Sequence, residues 1–277
     1  MDTAMRRDAL IPRGPALEAR IAALPAIARE AARLAVAMQA AASAGRTLKG
    51  DQDWLTEADG AVEALIRERV AEAFPGDAVL GEETGLTGDA SAMLWIVDPI
   101  DGTANYARGG RTWCVSIALV EERRALAGAV VAPALRETWL ARRGRGARLN
   151  GRPLRAAATD DLRRALVEVG WSPRRPFADW QALTARLNAA GAAVRLGGSG
   201  ALGLCQVAAG RTDGYAELHI NSWDAAAALL IAEEAGARVS DILGGEALHA
   251  GAPVLAAAPG VARALSALCG VAGSLSQ

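Results

Sequence analysis

Trp95-Ile96-Val97-Asp98-Pro99-Ile100-Asp101-Gly102-Thr103-Ala104-Asn105 is an apolar, strand-forming run that breaks off in two carboxylates, a proline and a glycine. Ligands gather at strand ends in α/β sheets. Pro99 fixes the backbone bend, so Asp98 and Asp101 can converge on one point with the Ile100 carbonyl facing it too. Two carboxylates and a carbonyl suit a hard, oxygen-seeking cation. Gly102-Thr103 then lets the chain turn and offers amide groups, and a helix starting there would hold a phosphate at its N-terminus. The plain alternative for the shorter string is an Asp-Pro turn followed by an Asp-Gly turn. The whole stretch favours a site.

Other acids flank this motif at a distance. Leu80-Gly81-Glu82-Glu83-Thr84-Gly85 places two adjacent acids at the end of another short apolar strand, where alternation sends one acid of the pair into the site. Thr56-Glu57-Ala58-Asp59 precedes a helical pattern, and either Thr56 or Asp59 is suited to cap it. Ser222-Trp223-Asp224 opens an Ala-rich helix, where Asp224 is stabilised by the helix dipole whether or not it binds metal. Glu217 ends a strand, either facing solvent or addressing a substrate hydroxyl. His219 has no partner at ligand spacing and receives no role.

The remaining periodicities supply the frame. Apolar residues recur at helical spacing from Pro25 through Ile27, Ala31, Leu34, Ala35 and Met38, and again after Asp59 through Val62, Ile66 and Val70. Residues 1–24 read as a tail, and 25–157 as an α+β half holding the metal motifs. Residues 158–277 read as an α/β half that completes the site. Strand-like runs cover 78–81, 94–97, 114–120, 127–132, 138–141 and 147–149. After about residue 157 strand and helix alternate, which predicts two sheets layered between helices.

Composition narrows the function classes. The 277 residues are 52% hydrophobic but only 4% aromatic, which predicts a helix-rich core packed through small side chains. Lys plus Arg total 30 against 31 Asp plus Glu, so no global field draws nucleic acid or an anionic membrane. Cys114, Cys205 and Cys269 each sit in apolar runs and read as reduced core residues. No stretch reaches the roughly 18 apolar residues of a membrane span, and the start has no signal-like apolar region. A cytoplasmic location is the expectation.

In this order, Glu82-Glu83, Asp98-Pro99-Ile100-Asp101-Gly102-Thr103 and Trp223-Asp224, followed by Glu233-Glu234-Ala235-Gly236, resemble the inositol monophosphatase family of lithium-sensitive phosphatases. The resemblance spans about Pro25 to Pro259. It implies a five-layered αβαβα fold, a homodimer, and two to three Mg2+ ions. Glu82, Asp98 and the Ile100 carbonyl are implied to hold one ion, and Asp98, Asp101 and Asp224 a second. Glu82 is implied to touch a third. Thr103 with Glu82 would orient the attacking water, with Asp59 as an outer acid near it. The Gly102 and Thr103 amides would meet the phosphate, and Glu217 a sugar-like hydroxyl. Lys49 matches a flexible-loop lysine, and Glu83 is a further acid beside the site.

The implied reaction is Mg2+-dependent hydrolysis of inositol-1-phosphate or a similar polyol phosphate by activated water, without a covalent intermediate. Histidinol phosphate, fructose 1,6-bisphosphate and adenosine 3′,5′-bisphosphate are the alternatives within this fold. Ala104, Arg108-Gly109-Gly110-Arg111 and Trp171 depart from the usual family pattern on the substrate side. Arg108, Arg111, Arg174 and Arg175 would either favour a second anionic group or simply be surface. A haloacid dehalogenase-type phosphatase needs its two acids two residues apart, whereas Asp98 and Asp101 are three apart. From another class, Gly198-Ser199-Gly200-Ala201-Leu202-Gly203 matches the dinucleotide pattern G-x-G-x-x-G of oxidoreductases. A catalytically silent metal-binding protein is the third rival, and the intact acid set opposes it.

Overall fold

The computed structural model describes residues 14–42, 47–50, 53–55, 57–89, 93–271 and 275, with the backbone alone for 41–42, 47–50 and 53–55. Its first half runs α1 (Pro15–Ala42), β1 (Thr47–Gly50), β2 (Asp53–Leu55), α2 (Glu57–Ala73), β3 (Ala78–Gly81), β4 (Gly85–Thr87), β5 (Leu94–Asp101) and α3 (Thr103–Tyr106). It continues with β6 (Cys114–Glu121), β7 (Arg124–Ala132), β8 (Glu137–Arg142), β9 (Ala147–Leu149) and β10 (Arg152–Pro153). The second half runs β11 (Leu166–Val169), α4 (Phe177–Ala189), β12 (Ala193–Arg195), α5 (Gly200–Ala208), β13 (Gly214–Ile220) and α6 (Ser222–Glu234). It closes with β14 (Arg238–Val239), α7 (Ala247–Ala250), β15 (Ala252–Ala257) and α8 (Ala262–Cys269).

Helices and sheets alternate in five layers. Helices α1 and α2 cover one face of an eight-stranded sheet of order β10-β9-β8-β7-β6-β5-β3-β4. Helices α5 and α6 fill the space between it and a five-stranded sheet of order β12-β11-β13-β15-β14, whose far face is covered by α4 and α8. The implied αβαβα order is therefore present. Strands buried on both faces feed two cores by alternation: Leu94 and Ile96 point toward α5 and α6, Trp95 and Val97 toward α1 and α2. No helix among the described residues is long and apolar enough to cross a membrane.

The first helix corrects the sequence reading. It starts at Pro15 instead of Pro25, so residues 15–24 are helix and not tail, and Pro25 lies inside it. An interior proline costs about 3 kcal/mol. Leu17 and Leu24 are buried in the same core as Ile27, and each such burial contributes roughly 1.5 to 3 kcal/mol. That gain offsets the proline.

Strand β5 also outruns its expected end at Val97. It pairs with β6 through Asp98 opposite Ser116 and Asp101 opposite Cys114, so three steps along β5 match two along β6. Residues three apart on a regular strand face opposite ways. The bulge at Pro99-Ile100 cancels that inversion and returns both acids to the face toward α5 and α6, while Ile100 packs toward α1 and α2. Proline suits the irregular position because it has no ladder hydrogen bond to lose.

Small residues set the spacing of the inner layer, as composition predicts. On β7, a Cβ at Gly128 would lie 2.9 Å from the carbonyl oxygen of Ala227 in α6. Gly128→Ala is therefore expected to force α6 off the sheet and destabilise the protein by about 1 to 3 kcal/mol. A urea midpoint that stays at the wild-type value would refute this close approach.

Candidate active site

Three chain segments bring carboxylates together. Glu82 follows β3, whose parallel pairing sets Gly81 beside Val97 and lets the Glu82 amide donate to the Val97 carbonyl at 3.3 Å. Asp98 comes from the bulged strand, and Asp224 from the first turn of α6, where its Oδ2 accepts the Asn221 amide at 3.0 Å. One oxygen from each of Glu82, Asp98 and Asp224 lies within 4.8 Å of the others. Asp224 thus serves as helix cap and cluster member at once. Glu83 is not a member of this triad; both acids lie in the turn after β3, and the Glu83 amide donates to Glu63 at 2.8 Å.

Asp98 is fully buried. Its Oδ1 accepts the Ile100 amide at 2.9 Å, while Oδ2 receives no hydrogen bond among the described residues. Burial, then the charges of Glu82, Asp224 and Asp101, hold its pKa well above the usual carboxylate range. Burial raises Asp224 as well. A buried carboxylate oxygen without a donor, facing two more carboxylates, is the environment that a hard cation would satisfy.

Asp101 shares the face of Asp98 but is anchored elsewhere. It accepts the Ser199 hydroxyl, the Gly200 amide at 3.1 Å and the Ala201 amide at 2.9 Å, with the Cys114 thiol 3.6 Å away. Its pKa rises to about 7, through burial and the Asp224 charge, against these three donors. The expected acid set is thereby divided: three acids converge, and Asp101 sits beside them on the N-terminus of α5.

That contact explains the G-x-G-x-x-G pattern. Gly198, at φ +77°, lies against the Asn105 side chain, whose Nδ2 reaches the Thr112, Gly197 and Gly198 carbonyls at 2.8, 3.1 and 3.2 Å. A Cβ on Gly203 would meet the Tyr215 ring at 2.4 Å. The first amides of α5 are spent on Asp101, so the dinucleotide reading has no helix terminus left for a pyrophosphate.

Thr103 places its Oγ1 2.9 Å from the Ile100 carbonyl oxygen and 3.3 Å from Asp59 Oδ1. Asp59 is buried in the first turn of α2. The helix expected after Gly102 is a single turn, α3, so its dipole is small and only local amides remain for a phosphate. Gly102, at φ +90°, would put a Cβ 2.8 Å from the Thr112 carbonyl oxygen, which reserves the position for glycine.

Glu217 lies on β13 with Tyr215 donating to its Oε2 at 2.5 Å. A Cβ on Gly170 would sit 2.2 Å from that oxygen, so β11 and β13 touch here without space for a side chain. Burial pushes Glu217 up to about 8; Tyr215 and Arg174 pull it back, and Asp224 and Asp101 add to the rise. Arg108 donates to the Ala104 carbonyl at 2.9 Å, Arg111 to Ala134 at 2.7 Å, and Arg175 to Asp179 at 2.7 Å. Arg174 is the member of that group whose charge reaches both Glu217 and Asp224. Trp171 packs edge-on against Phe177, centroids 5.9 Å apart, and its buried indole N–H meets no acceptor among the described residues. Lys49 belongs to β1, and its side chain, like Thr56, lies outside the described residues. The three cysteines are free and buried, as read.

A family profile described as the inositol monophosphatase family matches residues 16–270. The chain belongs to the inositol monophosphatase family. An inositol-1-monophosphatase of Mesorhizobium japonicum is 37% identical over 251 residues, covering 84% of this chain and 94% of that protein. A protein of Xylella fastidiosa named Nus factor SuhB is 40% identical over 202 residues, 72% of this chain and 73% of its own. Among solved structures, an IMPase of Thermotoga maritima superposes with a TM-score of 0.80 at 30% identity, covering 91% and 97% of the two chains. Membership of this phosphatase family accounts for the acid triad without the rival oxidoreductase.

Sequence reasoning missed three contributors. Ser199, Tyr215 and Glu63 received no role from the sequence, yet Ser199 donates to Asp101, Tyr215 to Glu217, and Glu63 accepts the Glu83 amide. The available signal for Glu63 was its position one helical turn after Asp59.

The electrostatics set a pH dependence. Asp98, Asp101, Asp224 and Glu217 bind protons more tightly folded than unfolded, so between about pH 4 and 8 the native state holds more protons and stability falls as pH rises. In EDTA the melting temperature should drop across that window, and Mg2+ should restore it most at the alkaline end. A flat EDTA profile would contradict a buried acid cluster.

Proposed function

We propose that this phosphatase hydrolyses a small polyol phosphate monoester, inositol-1-phosphate or a near relative, with Mg2+ held by Glu82, Asp98 and Asp224. The observation that carries the reading is the buried Asp98 Oδ2, undonated and facing two further carboxylates. Asp101 and the Ile100 carbonyl, each with lone pairs left after their protein contacts, are the remaining hard oxygens at the site. When bound, Mg2+ supplies charge neutralisation for the phosphate and the leaving oxygen, and activates water.

The protein's own groups do the rest. Thr103 has one hydroxyl proton and two lone pairs. With that proton directed at Asp59 or the Ile100 carbonyl, a lone pair is left to accept from a water, which orients the water's oxygen toward phosphorus. As water attacks, its proton passes to Thr103 while the Thr103 proton moves to Asp59. The ester P–O bond breaks, and the alcohol leaves with a proton from solvent. Glu217 accepts a hydroxyl of that alcohol, Arg174 favours an anionic or polar substituent beyond it, and Trp171 narrows the same side.

The Mesorhizobium relative's name supports the inositol phosphate reading; histidinol phosphate, fructose 1,6-bisphosphate and adenosine 3′,5′-bisphosphate are its competitors in a substrate panel. The name Nus factor belongs to the Xylella relative. A net charge of -1 supplies no overall attraction for RNA or DNA, so a phosphate ester and a second copy of the chain are the proposed partners.

Asp98→Asn is expected to lower kcat on every phosphate ester by roughly a thousandfold, the equivalent of several kcal/mol of lost electrostatic stabilisation. Above about pH 8, where Glu217 is ionised, Glu217→Ala should lower kcat/KM on a polyol phosphate about ten- to a hundredfold, the worth of one hydrogen bond to a charged group, while sparing an aryl phosphate. Equal loss on both substrates would move Glu217 into the catalytic machinery. Retention of most activity by Asp98→Asn would end the metal assignment.

A further inference from the structure

Helix α2 carries two buried acids on one face, Asp59 and Glu63, each 1% exposed. Asp59 meets Thr103 beyond the end of β5, and Glu63 meets the turn beyond the end of β3. These strands are parallel neighbours, so their ends lie about 4.8 Å apart. Four residues of helix rise about 6 Å, which is commensurate with that separation. One helix turn therefore spans both strand ends that carry the site.

Glu63 is saturated with donors from the turn. Its Oε2 accepts the Glu83 amide at 2.8 Å, and its Oε1 accepts the Thr84 amide at 3.1 Å and the Thr84 hydroxyl at 2.6 Å. Arg67 pairs with Oε1 at 2.9 Å and sends its other nitrogens to the Gly85 carbonyl at 2.6 Å and the Thr87 hydroxyl at 2.7 Å. A Cβ on Gly81 would lie 2.5 Å from the Glu63 carboxyl carbon, so the strand end admits this carboxylate only because residue 81 is glycine. Glu82 stands between Gly81 and the residues Glu63 grips.

We propose that Glu63 is a positioning residue for the metal site: it clamps the 82–84 turn so that the Glu82 carboxylate is held toward Asp98 and Asp224. Arg67 neutralises the clamp, so its carboxylate adds little repulsion to the triad. The proposal rests on the metal reading above. A purely structural role would cost stability and leave the metal affinity of the folded protein unchanged.

The test is a calorimetric Mg2+ titration of wild type, Glu63→Gln, Glu82→Gln and the double variant, with urea unfolding of each in EDTA. Glu63→Gln should weaken Mg2+ binding about ten- to a hundredfold, the usual effect of losing a group that orients a ligand. In the Glu82→Gln background the same change should alter affinity less than about twofold, because it acts through Glu82. Gly81→Ala, which displaces the carboxylate without removing it, should weaken Mg2+ binding in the same direction, and it carries the test if Glu63→Gln fails to fold. Unchanged affinity in both folded variants, or an equal loss in the Glu82→Gln background, overturns the positioning role alone. Absence of Mg2+ binding by wild type overturns the metal reading and the clamp with it.

Discussion

The carboxylate of Asp101 leaves the eight-stranded sheet and ends on the first amides of α5, the helix that separates the two sheets. Much else depends on that seat. It requires the β5 bulge, without which Asp101 would face α1 and α2, and it requires Ser199 as both cap and donor. It also fixes where the second half of the chain docks on the metal motif. Asn105 reinforces the same junction through the carbonyls of Gly197 and Gly198, so the two halves meet through polar contacts that tolerate little displacement.

Docking the halves this way concentrates negative charge. Asp224 reaches Asp98 only because α6 lies between the sheets; burial raises both acids, and the proximity raises Asp98 further while the contact with Asp98 pulls Asp224 back. An interior that gathers carboxylates is unstable unless protons or a cation offset their charge. In the metal-free protein Asp98 and Asp224, facing one another, would titrate as a pair. Where acids are meant to be silent the protein neutralises them locally, as Arg67 does for Glu63 and Arg195 for the buried Glu168 at 2.7 Å. In the triad, by contrast, one oxygen of each acid faces the other two, the arrangement that a hard cation would satisfy.

The substrate side is built from different material. Gly170 and Gly203 remove side chains so that Glu217 and Tyr215 can pack against β11 and α5. Aromatic residues, scarce in this chain, gather next to them: Trp171 against Phe177, and Phe177 stacked on Trp180 at 5.3 Å. Phe177 is 53% exposed, so this wall borders solvent. In the proposed reaction, recognition falls to the second half of the chain and phosphate chemistry mainly to the first.

From the sequence alone come the strand-forming run, the acids of its motif and the acid pair Glu82-Glu83 at a strand end, because these follow from neighbours along the chain. The sequence also carried the family resemblance in the order of Glu82, Asp98 and Asp224. Tertiary structure alone decided that Pro25 lies inside a helix, since the burial of Leu17 and Leu24 that offsets it occurs against strands far along the chain. It likewise decided that a bulge aligns Asp98 with Asp101 and that the glycine loop receives a carboxylate in place of a pyrophosphate. Asp101 and Ala201 are 100 residues apart, and no periodicity reports a hydrogen bond across that distance. Local pattern sets what each segment can be; long-range packing selects which groups meet, because burial energy is gained only when distant surfaces close on one another.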